Sequence, residues 1–325
     1  MNSFVEALHD DFEIHLIINE SSLARVQHLS DKIVITTLKD QHYLADILRC
    51  KKQFNPDLIL LNSAQGRKIR NLCLALIFDP IPIVGVHHNA ENIYSSFTQK
   101  IISFKIKKYV VLADFIKQYL ISKTKQKIES FYPLAYHQKV KVDLDYRLRY
   151  IAIPGVLEQD RRDYLGFIGI IKTYEQQLDP RLRFVLLGNS KTHDGLEITA
   201  SIRSNKLENR FILFDEYVED EVLLSYVEQS VAVMPLLQPG TRWFEKYFET
   251  KISGAYSLAF AYDKVLLMHE VFTGKDEFRT HGIFYNHHNF ANVVRQLSKS
   301  SDVKKPAKLE FAFQKQRLLD FLNSN

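Results

Sequence analysis

The sequence has little cysteine, and it lacks long apolar runs. Its two cysteines, Cys50 and Cys73, lie within predicted helices without the spacing of metal ligands, so we interpret them as buried free thiols of a reducing compartment. No run of about 18 apolar residues is present, which excludes a predicted membrane span. The first residues, MNSFVEALHDDFEIH, are mixed and acidic, unlike a secretory signal. We therefore expect a cytoplasmic protein.

Several catalytic motifs are also absent. The sequence contains no HExxH, CxxC, GxSxG or GxxxxGK[ST], which argues against a zinc protease, a serine hydrolase of the nucleophile-elbow type and a P-loop NTPase. No GxGxxG follows a predicted strand, so the usual mark of dinucleotide binding is missing. We interpret His287-His288, in FYNHHN, as part of a solvated loop rather than a metal site. Neither a metal nor a cofactor is expected.

What the chain does have is a regular alternation of strand and helix patterns over 325 residues, enough for two domains. Continuous apolar runs such as LILLN (58–62) are typical of buried parallel strands. A second alternating series begins near Tyr150. The pattern predicts an α/β fold with two doubly wound, Rossmann-like halves. The predicted strands cover 12–19, 32–38, 58–62, 83–89, 109–113, 128–134, 150–155, 183–189, 210–218, 231–235 and 264–268.

One stretch, PLLQPGTRWFEKYFETKISGAYSLAFAYDKVLLMH (235–269), combines a strand end, a loop, a helix start and another strand. Lys251 supplies a positive charge just before the helix, and Gly254 would let a ligand approach the backbone. The free N–H groups at a helix start favour an anion, so this junction could hold a phosphate or diphosphate. Alternatively, Ser253 only caps a packing helix.

Ligands of doubly wound sheets bind beyond the carboxyl ends of the strands. Those ends include His88 in the first half, and Gly155 and Gly188 in the second. Arg161 and Arg162 open the helix after Gly155, and paired guanidinium groups can bind a diphosphate. Charged helix starts are, however, often simply solvated.

Basic residues concentrate between positions 100 and 149, although the net charge of the chain is only +5. They form either a solvated helical face or a surface attracted to anionic lipid headgroups at the inner face of a membrane. No aromatic-interleaved basic motif accompanies them, so nucleic acid is not an expected partner.

Four segments resemble a known family. They are IPGVLEQDRRDYLGFIGII, RFVLLGN, FILFDEYVEDEVLLSYVEQSVAVMPLL and KISGAYSLAFAYDKVLL, and their order and spacing are similar to the C-terminal domain of group 1 retaining glycosyltransferases. The resemblance is closest to bacterial members that build capsule, exopolysaccharide or O-antigen, and it is looser before residue 150. It implies the GT-B fold, with two Rossmann-like domains facing across a cleft. The domains would be 1–147 and 148–305, with a last helix in 306–325 crossing back to the first domain.

The resemblance also implies site residues for a nucleotide-sugar donor, most simply a UDP-sugar. Arg161 or Arg162 would hold the diphosphate together with Lys251 and the helix start. Glu249 matches the first acidic residue of the E-x7-E motif, which contacts the donor sugar, whereas the second position is a serine. The remaining implied positions are the loop glycines Gly155 and Gly188, Tyr217 near the base, Ser253, Gly254 and Ser257 on the donor side, and His88 near the sugar and acceptor.

The implied activity is metal-independent, retaining transfer of a hexosyl group to a glycan or lipid-linked glycan acceptor. One departure is the start of the chain, where a helix stands in place of the usual first strand and Gly-rich loop, and residues 1–30 contain no glycine. This departure and Ser257 leave two alternatives open. The chain could be a non-catalytic GT-B subunit that stabilises or activates a partner glycosyltransferase, or a GT-B enzyme of another type, such as a sugar-nucleotide epimerase.

Overall fold

The computed structural model describes residues 1–39, 42–135, 142–297 and 305–324, which form two compact units. Unit 1 comprises Met1–Ala135 and Glu310–Asn325, and unit 2 comprises Tyr136–Leu309. The predicted domain border at residue 147 therefore lies further along the chain than the division between the units. Both units are α/β with parallel strands, so the predicted fold class is confirmed.

Unit 1 contains two separate parallel sheets. Strands β1 and β2 pair only with each other, and the second sheet has the order β3-β4-β5-β6. A helix precedes the first strand, as the sequence predicts. The elements are α1 (Asn2–Leu8), β1 (His15–Asn19), β2 (Val34–Leu38), α2 (Tyr43–Phe54), β3 (Ile59–Leu61), α3 (Gly66–Ala75), β4 (Ile83–His87), α4 (Asn92–Ser95), α5 (Phe97–Lys105), β5 (Lys108–Val111), α6 (Asp114–Ile121) and β6 (Lys127–Ser130).

Unit 2 is built on one six-stranded parallel sheet of order β12-β11-β10-β7-β8-β9. The sequence patterns did not predict α10, β12 or α12. The elements are β7 (Arg149–Pro154), α7 (Tyr164–Tyr174), β8 (Leu182–Asn189), α8 (His193–Ser204), β9 (Phe211–Phe214), α9 (Asp220–Gln229), β10 (Ala232–Val233), α10 (Phe244–Glu249), α11 (Gly254–Ala261), β11 (Val265–His269), β12 (Gly282–Tyr285) and α12 (Phe290–Gln296).

The core of unit 2 explains why its sheet is so regular. The eight residues of β8 are almost all buried, and Phe184 stacks edge-on against Phe167 of α7 with ring centroids 5.1 Å apart. Phe211 and Phe290 close the same cluster from β9 and α12. Aromatic side chains of this size bury much apolar area, so the cluster fixes the helices on the sheet.

The last helix, α13 (Phe311–Asn323), returns to unit 1. Gln314 of α13 is fully buried, and its Oε1 accepts a hydrogen bond from the backbone N–H of Tyr132 at 2.9 Å. Arg317 donates to the carboxylate of Asp114 at 2.8 Å. These polar contacts, made over a long separation in sequence, fasten α13 to β6 and α6.

Both cysteines are buried free thiols, as predicted from their sequence positions. Burial raises the pKa of Cys73 to about 11, so this side chain stays a neutral thiol at physiological pH. In the described part of the chain, no helix combines the length and apolar character needed to cross a bilayer.

A buried histidine makes unit 2 sensitive to acid. The ring of His281 packs edge-on against Phe260 at 5.1 Å, and burial lowers its pKa from 6.5 to about 4. The unfolded chain therefore binds a proton at a higher pH than the folded chain does. The stabilisation is complete above pH 6.5 and is lost as the pH falls towards 4.

We expect His281→Gln to remove this part of the acid sensitivity. Between pH 7 and pH 4, the free energy of unfolding of the parent protein should fall by up to about 3 kcal/mol more than that of the variant. Urea unfolding at several pH values measures the difference. His193→Gln is the control, because the side chain of His193 is 96% exposed. Equal pH dependence in the parent protein and His281→Gln would contradict the prediction.

Candidate functional site

The candidate site of unit 2 lies at the carboxyl ends of its parallel strands. Strands β7 and β8 pair from Arg149 with Leu182 to Pro154 with Leu187, so the loops that follow both strands begin at the same edge of the sheet. The loop after β10 joins this edge, since β10 pairs with β7. This edge is the usual ligand-binding side of a doubly wound sheet.

Two of the predicted glycines meet there. Gly155 has a φ of +120°, a conformation that favours glycine, and its N–H donates to the carbonyl of Leu187 at 3.2 Å. A Cβ on Gly188 would stand 2.4 Å from the carbonyl oxygen of Gly155. The close approach of the two loops therefore requires glycine at both positions, whether or not a ligand is bound.

Arg162 is built into this junction. Its guanidinium donates from Nε to the carbonyl of Pro235 at 3.0 Å, from Nη1 to Val156 at 3.1 Å and from Nη2 to Pro154 at 3.2 Å. The residue is only 7% exposed. Arg162 thus fastens the loop after β7 to the loop after β10, and it would have to give up these hydrogen bonds to hold a diphosphate.

Arg161, its neighbour, has a different environment. Its side chain is 42% exposed, and its Nε lies 2.7 Å from the carboxylate of Glu158. Exposed ion pairs of this kind contribute little to stability and are readily exchanged. Of the two arginines that sequence analysis left as alternatives, Arg161 is the one whose guanidinium reaches solvent.

Helix α11 begins as predicted at Ser253 and Gly254. Ser253 is the N-cap, its Oγ accepting from the N–H of Ala255 at 3.4 Å. Gly254 is exposed, and a Cβ built on it meets no atom within 4 Å. Ser257, one turn further along, is 2% exposed and therefore faces the protein interior. The helix start combines the predicted cap with open space outside Gly254.

A cluster of cations around an indole ring lies beside this helix start. The Nζ of Lys246 is 4.9 Å from the centroid of the Trp243 ring, that of Lys251 is 5.2 Å away, and the guanidinium carbon of Arg242 is 5.6 Å away. The backbone N–H of Trp243 donates to the carbonyl of Asp160 at 3.2 Å. We call Arg242, Trp243, Lys246 and Lys251 the tryptophan cluster. Sequence analysis singled out only Lys251, although the string RWFEK was a visible signal.

Glu249 ends α10, two residues before Lys251, and is partly exposed. Lys275 lies nearby, with its Nζ 4.0 Å from the centroid of the ring of Phe248, the residue before Glu249. Burial lowers the pKa of Lys275, and the negative charge of Glu249 opposes that change. The carboxylate that the resemblance assigns to donor-sugar contact thus interacts electrostatically with Lys275.

A cavity of about 280 Å³ lies at the ends of β8 and β9. Its lining includes Lys191 and Asp215, which form an ion pair at 3.2 Å, and Ser190, whose Oγ donates to Asp215 at 2.9 Å. The Ser190 hydrogen bond and the Lys191 charge lower the pKa of Asp215. Tyr217 follows β9 and is 66% exposed. The sequence predicted Tyr217 in this region, but it did not single out Ser190 and Lys191, which interact with Asp215.

In unit 1, the two histidines at the end of β4 differ sharply. His88 is exposed, and its Nε2 lies 2.7 Å from the carbonyl oxygen of Asn62. His87 is 1% exposed, burial lowers its pKa to about 4, and neither ring nitrogen has a hydrogen-bond partner among the described residues. Of the two histidines, the predicted residue His88 is the one that solvent reaches.

Over residues 1–39, 42–135, 142–297 and 305–324, no group of three or more His, Cys, Asp or Glu side chains is arranged to hold a metal ion. The polar groups described above at the candidate site are the cations of the tryptophan cluster, the N–H groups of α11 and the carboxylates of Glu249 and Asp215.

No protein-family model matches the sequence, and no curated protein matches it. Several solved structures, in contrast, are similar to this chain. A glycosyltransferase from Rickettsia africae ESF-5 matches with a TM-score of 0.62 and 14% identity, over 99% of this chain and 89% of that one. The UDP-GlcNAc 2-epimerase from Methanocaldococcus jannaschii matches with a TM-score of 0.60 and 11% identity, over 99% of this chain and 95% of that one.

A third similar structure is the lipopolysaccharide outer core galactosyltransferase WaaB, with a TM-score of 0.57 and 12% identity, over 96% of this chain and 99% of that one. Identities this low establish the fold alone. The three similar structures each cover nearly the whole chain, and they comprise two transferases and one epimerase. The chain therefore has the GT-B fold, with two Rossmann-like units.

Proposed function

We propose that this protein binds a nucleoside-diphosphate sugar in unit 2 and transfers the sugar, with retention of configuration, to a glycan or lipid-linked glycan acceptor. A UDP-sugar is the donor we favour, because the similar epimerase is named for a UDP-sugar. The acceptor would belong to surface glycan synthesis, as does the similar lipopolysaccharide galactosyltransferase. The protein would work at the inner face of the membrane.

The observation that carries the proposal is the tryptophan cluster beside α11. Lys246 and Lys251 bring two ammonium groups within 5.2 Å of the same ring centroid. The exposed backbone at Gly254 opens the positive end of α11 to solvent next to them. A diphosphate is negatively charged, and it has enough oxygens to contact both the two lysines and the N–H groups of the helix start.

In the proposed reaction, the bond between the anomeric carbon and the diphosphate oxygen breaks while the acceptor oxygen bonds to the same face of that carbon. Lys246, Lys251 and the N–H groups of α11 would stabilise the negative charge that develops on the diphosphate. A phosphate oxygen of the leaving group would take the proton of the acceptor hydroxyl. We propose that these fixed cations take the place of a metal ion, with Glu249 in contact with the donor sugar and His88 on the acceptor side.

We expect UDP and UDP-sugars to bind the purified protein, and Lys251→Ala to weaken binding about 100-fold, because a charge-assisted contact to phosphate contributes about 3 kcal/mol. The chain has one tryptophan, so quenching of Trp243 emission reports on the cluster directly. Calorimetry gives the affinity, with EDTA present and then with Mg²⁺. Lys172→Ala is the control, since Lys172 lies in the last turn of α7, away from the strand ends.

Failure of UDP, GDP, ADP and all of their sugar conjugates to bind the protein would contradict the proposal. Equal affinity of the parent protein and Lys251→Ala would move the diphosphate away from the tryptophan cluster. If binding required Mg²⁺, metal-independent transfer would be wrong.

A second candidate function is supported by two specific observations. Arg162 is bonded to three backbone carbonyls, and Ser257, in place of the second acidic residue of E-x7-E, is buried. Both leave fewer groups for a donor than the resemblance implies. They favour a non-catalytic GT-B subunit that stabilises or activates a partner glycosyltransferase.

Product analysis separates these functions. A transferase should hydrolyse its UDP-sugar slowly without an acceptor and release the sugar with its configuration retained. An epimerase would convert the donor into another nucleotide sugar with no acceptor present. A stabilising subunit would do neither, and it would raise the activity or the melting temperature of its partner glycosyltransferase when the two are mixed.

A further inference from the structure

Helices α3 and α5 of unit 1 lie side by side on one face of a parallel sheet. Each connects neighbouring strands of the order β3-β4-β5, and right-handed crossovers place both on the same face. They pack against each other and run in the same direction, because both return from the carboxyl end of a strand. The side chain of Lys105, at the end of α5, donates a hydrogen bond to the carbonyl of Asp79, just after α3.

The outer side of this helix pair carries large apolar side chains in water. Phe78, Phe97 and Phe104 are 97%, 77% and 70% exposed, and Leu74 is 49% exposed. Phe97 and Phe104 are seven residues apart in α5 and so share one helix face. Leu74 lies in the last turn of α3, and Phe78 lies in the turn that follows, one residue before Asp79, the partner of Lys105 at the end of α5. Large apolar side chains so exposed on one helix pair mark an interaction surface.

The charges on the same surface have one sign. Residues 97–107, FTQKIISFKIK, contain three lysines and no acidic residue, and residues 66–78, GRKIRNLCLALIF, contain three basic residues and no acidic one. Lys100 lies between the two exposed rings of α5, and the Nζ of Lys107 is 5.1 Å from the Phe104 ring centroid. The nearby carboxylate of Asp79 forms an ion pair with Lys51 at 2.6 Å.

We propose that this face binds an anionic lipid bilayer. We call it the α3–α5 surface, defined by Arg67, Phe78, Phe97, Lys100, Phe104 and Lys107. The phenylalanine rings would enter the boundary between headgroups and acyl chains, and the basic side chains would contact the phosphate groups of the lipids. This inference rests on the membrane location in the proposed function, but not on the donor chemistry of unit 2.

Charge is what favours lipid over a protein partner. The cores of protein interfaces are depleted in lysine, whereas here lysines and arginines alternate with the exposed rings. A bilayer surface with anionic lipids is negative throughout and accepts every cation of the surface at once. Long basic side chains can also reach the phosphates while their stems lie beside the rings.

The test is co-sedimentation of the full chain with vesicles of phosphatidylcholine alone and of phosphatidylcholine with phosphatidylglycerol. We expect binding only to the anionic vesicles, and weaker binding as NaCl is raised. The triple variant Phe78→Ser, Phe97→Ser, Phe104→Ser should partition at least about 100-fold less, because each ring loses its transfer into the bilayer boundary. The variant Arg67→Gln, Lys100→Gln, Lys107→Gln should partition at least about tenfold less.

Two matched triple variants serve as controls. Phe12→Ser, Tyr146→Ser, Phe313→Ser removes aromatic groups that are 37%, 92% and 44% exposed elsewhere. Lys172→Gln, Arg279→Gln, Arg295→Gln removes the same number of cations from unit 2. Both should bind vesicles like the parent protein. Melting curves of the two variants of the α3–α5 surface should match that of the parent protein, because their substituted side chains are exposed. The aromatic control should melt at a lower temperature, because Phe12 and Phe313 are partly buried, but it should still bind vesicles.

Absence of vesicle binding, equal binding to both vesicle types, or unchanged binding of the phenylalanine variant would each overturn the proposal. So would a dimer of the parent protein that the phenylalanine variant abolishes without any lipid binding, because the occupant would then be a second copy of the chain. Nucleotide titrations of the same samples keep the outcomes separate. If the protein binds UDP but no lipid, only the proposal for the α3–α5 surface is wrong. If it binds lipid but no nucleotide, only the proposed donor site is wrong.

Discussion

Arg162→Ala is expected to destabilise the protein by about 4 kcal/mol, since it removes three charge-assisted hydrogen bonds to backbone carbonyls, two of them buried. Those carbonyls belong to Pro154, Val156 and Pro235, so one buried guanidinium joins the loop after β7 to the loop after β10. The effect should appear as a lower midpoint in urea or thermal unfolding of unit 2. Arg162→Lys should recover only part of the loss, because an ammonium cannot reproduce the planar fork.

Arg161→Ala is the matched control, one residue away. Its single ion pair with Glu158 is partly solvated, so the expected change in unfolding free energy is about 0.5 kcal/mol or less. The two variants should also differ in donor binding. Arg161→Ala should weaken nucleotide binding with little loss of stability. If Arg162→Ala left the stability unchanged and abolished UDP binding, the structural role assigned to Arg162 would be wrong.

Gly188→Ala is the second change with a large expected effect, a loss of about 3 kcal/mol. The added Cβ would stand 2.4 Å from the carbonyl oxygen of Gly155, which is backbone and cannot rotate away. The strand end or the Gly155 turn must therefore shift. Since Gly155 itself stands against Arg162, we expect the shift to weaken the Arg162 hydrogen bonds and to lower both the melting temperature and the affinity for UDP.

Gly169→Ala supplies a control of opposite sign. Gly169 lies inside α7, and a Cβ built on it meets no atom within 4 Å. Alanine in a helix interior is favoured over glycine by about 1 kcal/mol, so this variant should be more stable than the parent protein. Equal unfolding midpoints for Gly188→Ala and the parent protein would show that the two loops are not in contact as described.

The α/β architecture was predictable because its signals are local. Strand β4 reads IVGVH and is buried throughout, and Ser253-Gly254 marks the start of α11 in the sequence as it does in the structure. Apolar runs and helix caps act through neighbouring residues, so a sequence pattern detects them. The short strand β12 and helix α10 were missed because each depends on packing with distant parts of unit 2.

The site was harder to predict, since its decisive contacts join loops far apart in the chain. Arg161 and Arg162 are adjacent and chemically identical, but the guanidinium of Arg162 is buried and bonded to three backbone carbonyls, one of them Pro235, 73 residues away in the chain. The tryptophan cluster was missed in a similar way, because the sequence does not say which lysines surround the ring. The burial of Ser257 likewise depends on the packing of α11.

The return of α13 to unit 1 has a consequence for synthesis of the protein on the ribosome. Tyr132 and Asp114 receive their partners Gln314 and Arg317 only after all of unit 2 has been translated. Unit 2 is continuous in sequence, so it can fold first, whereas unit 1 must wait with part of its apolar surface uncovered. A released chain that ends at Leu309 would therefore hold a protease-resistant second unit behind a first unit that is still open to cleavage.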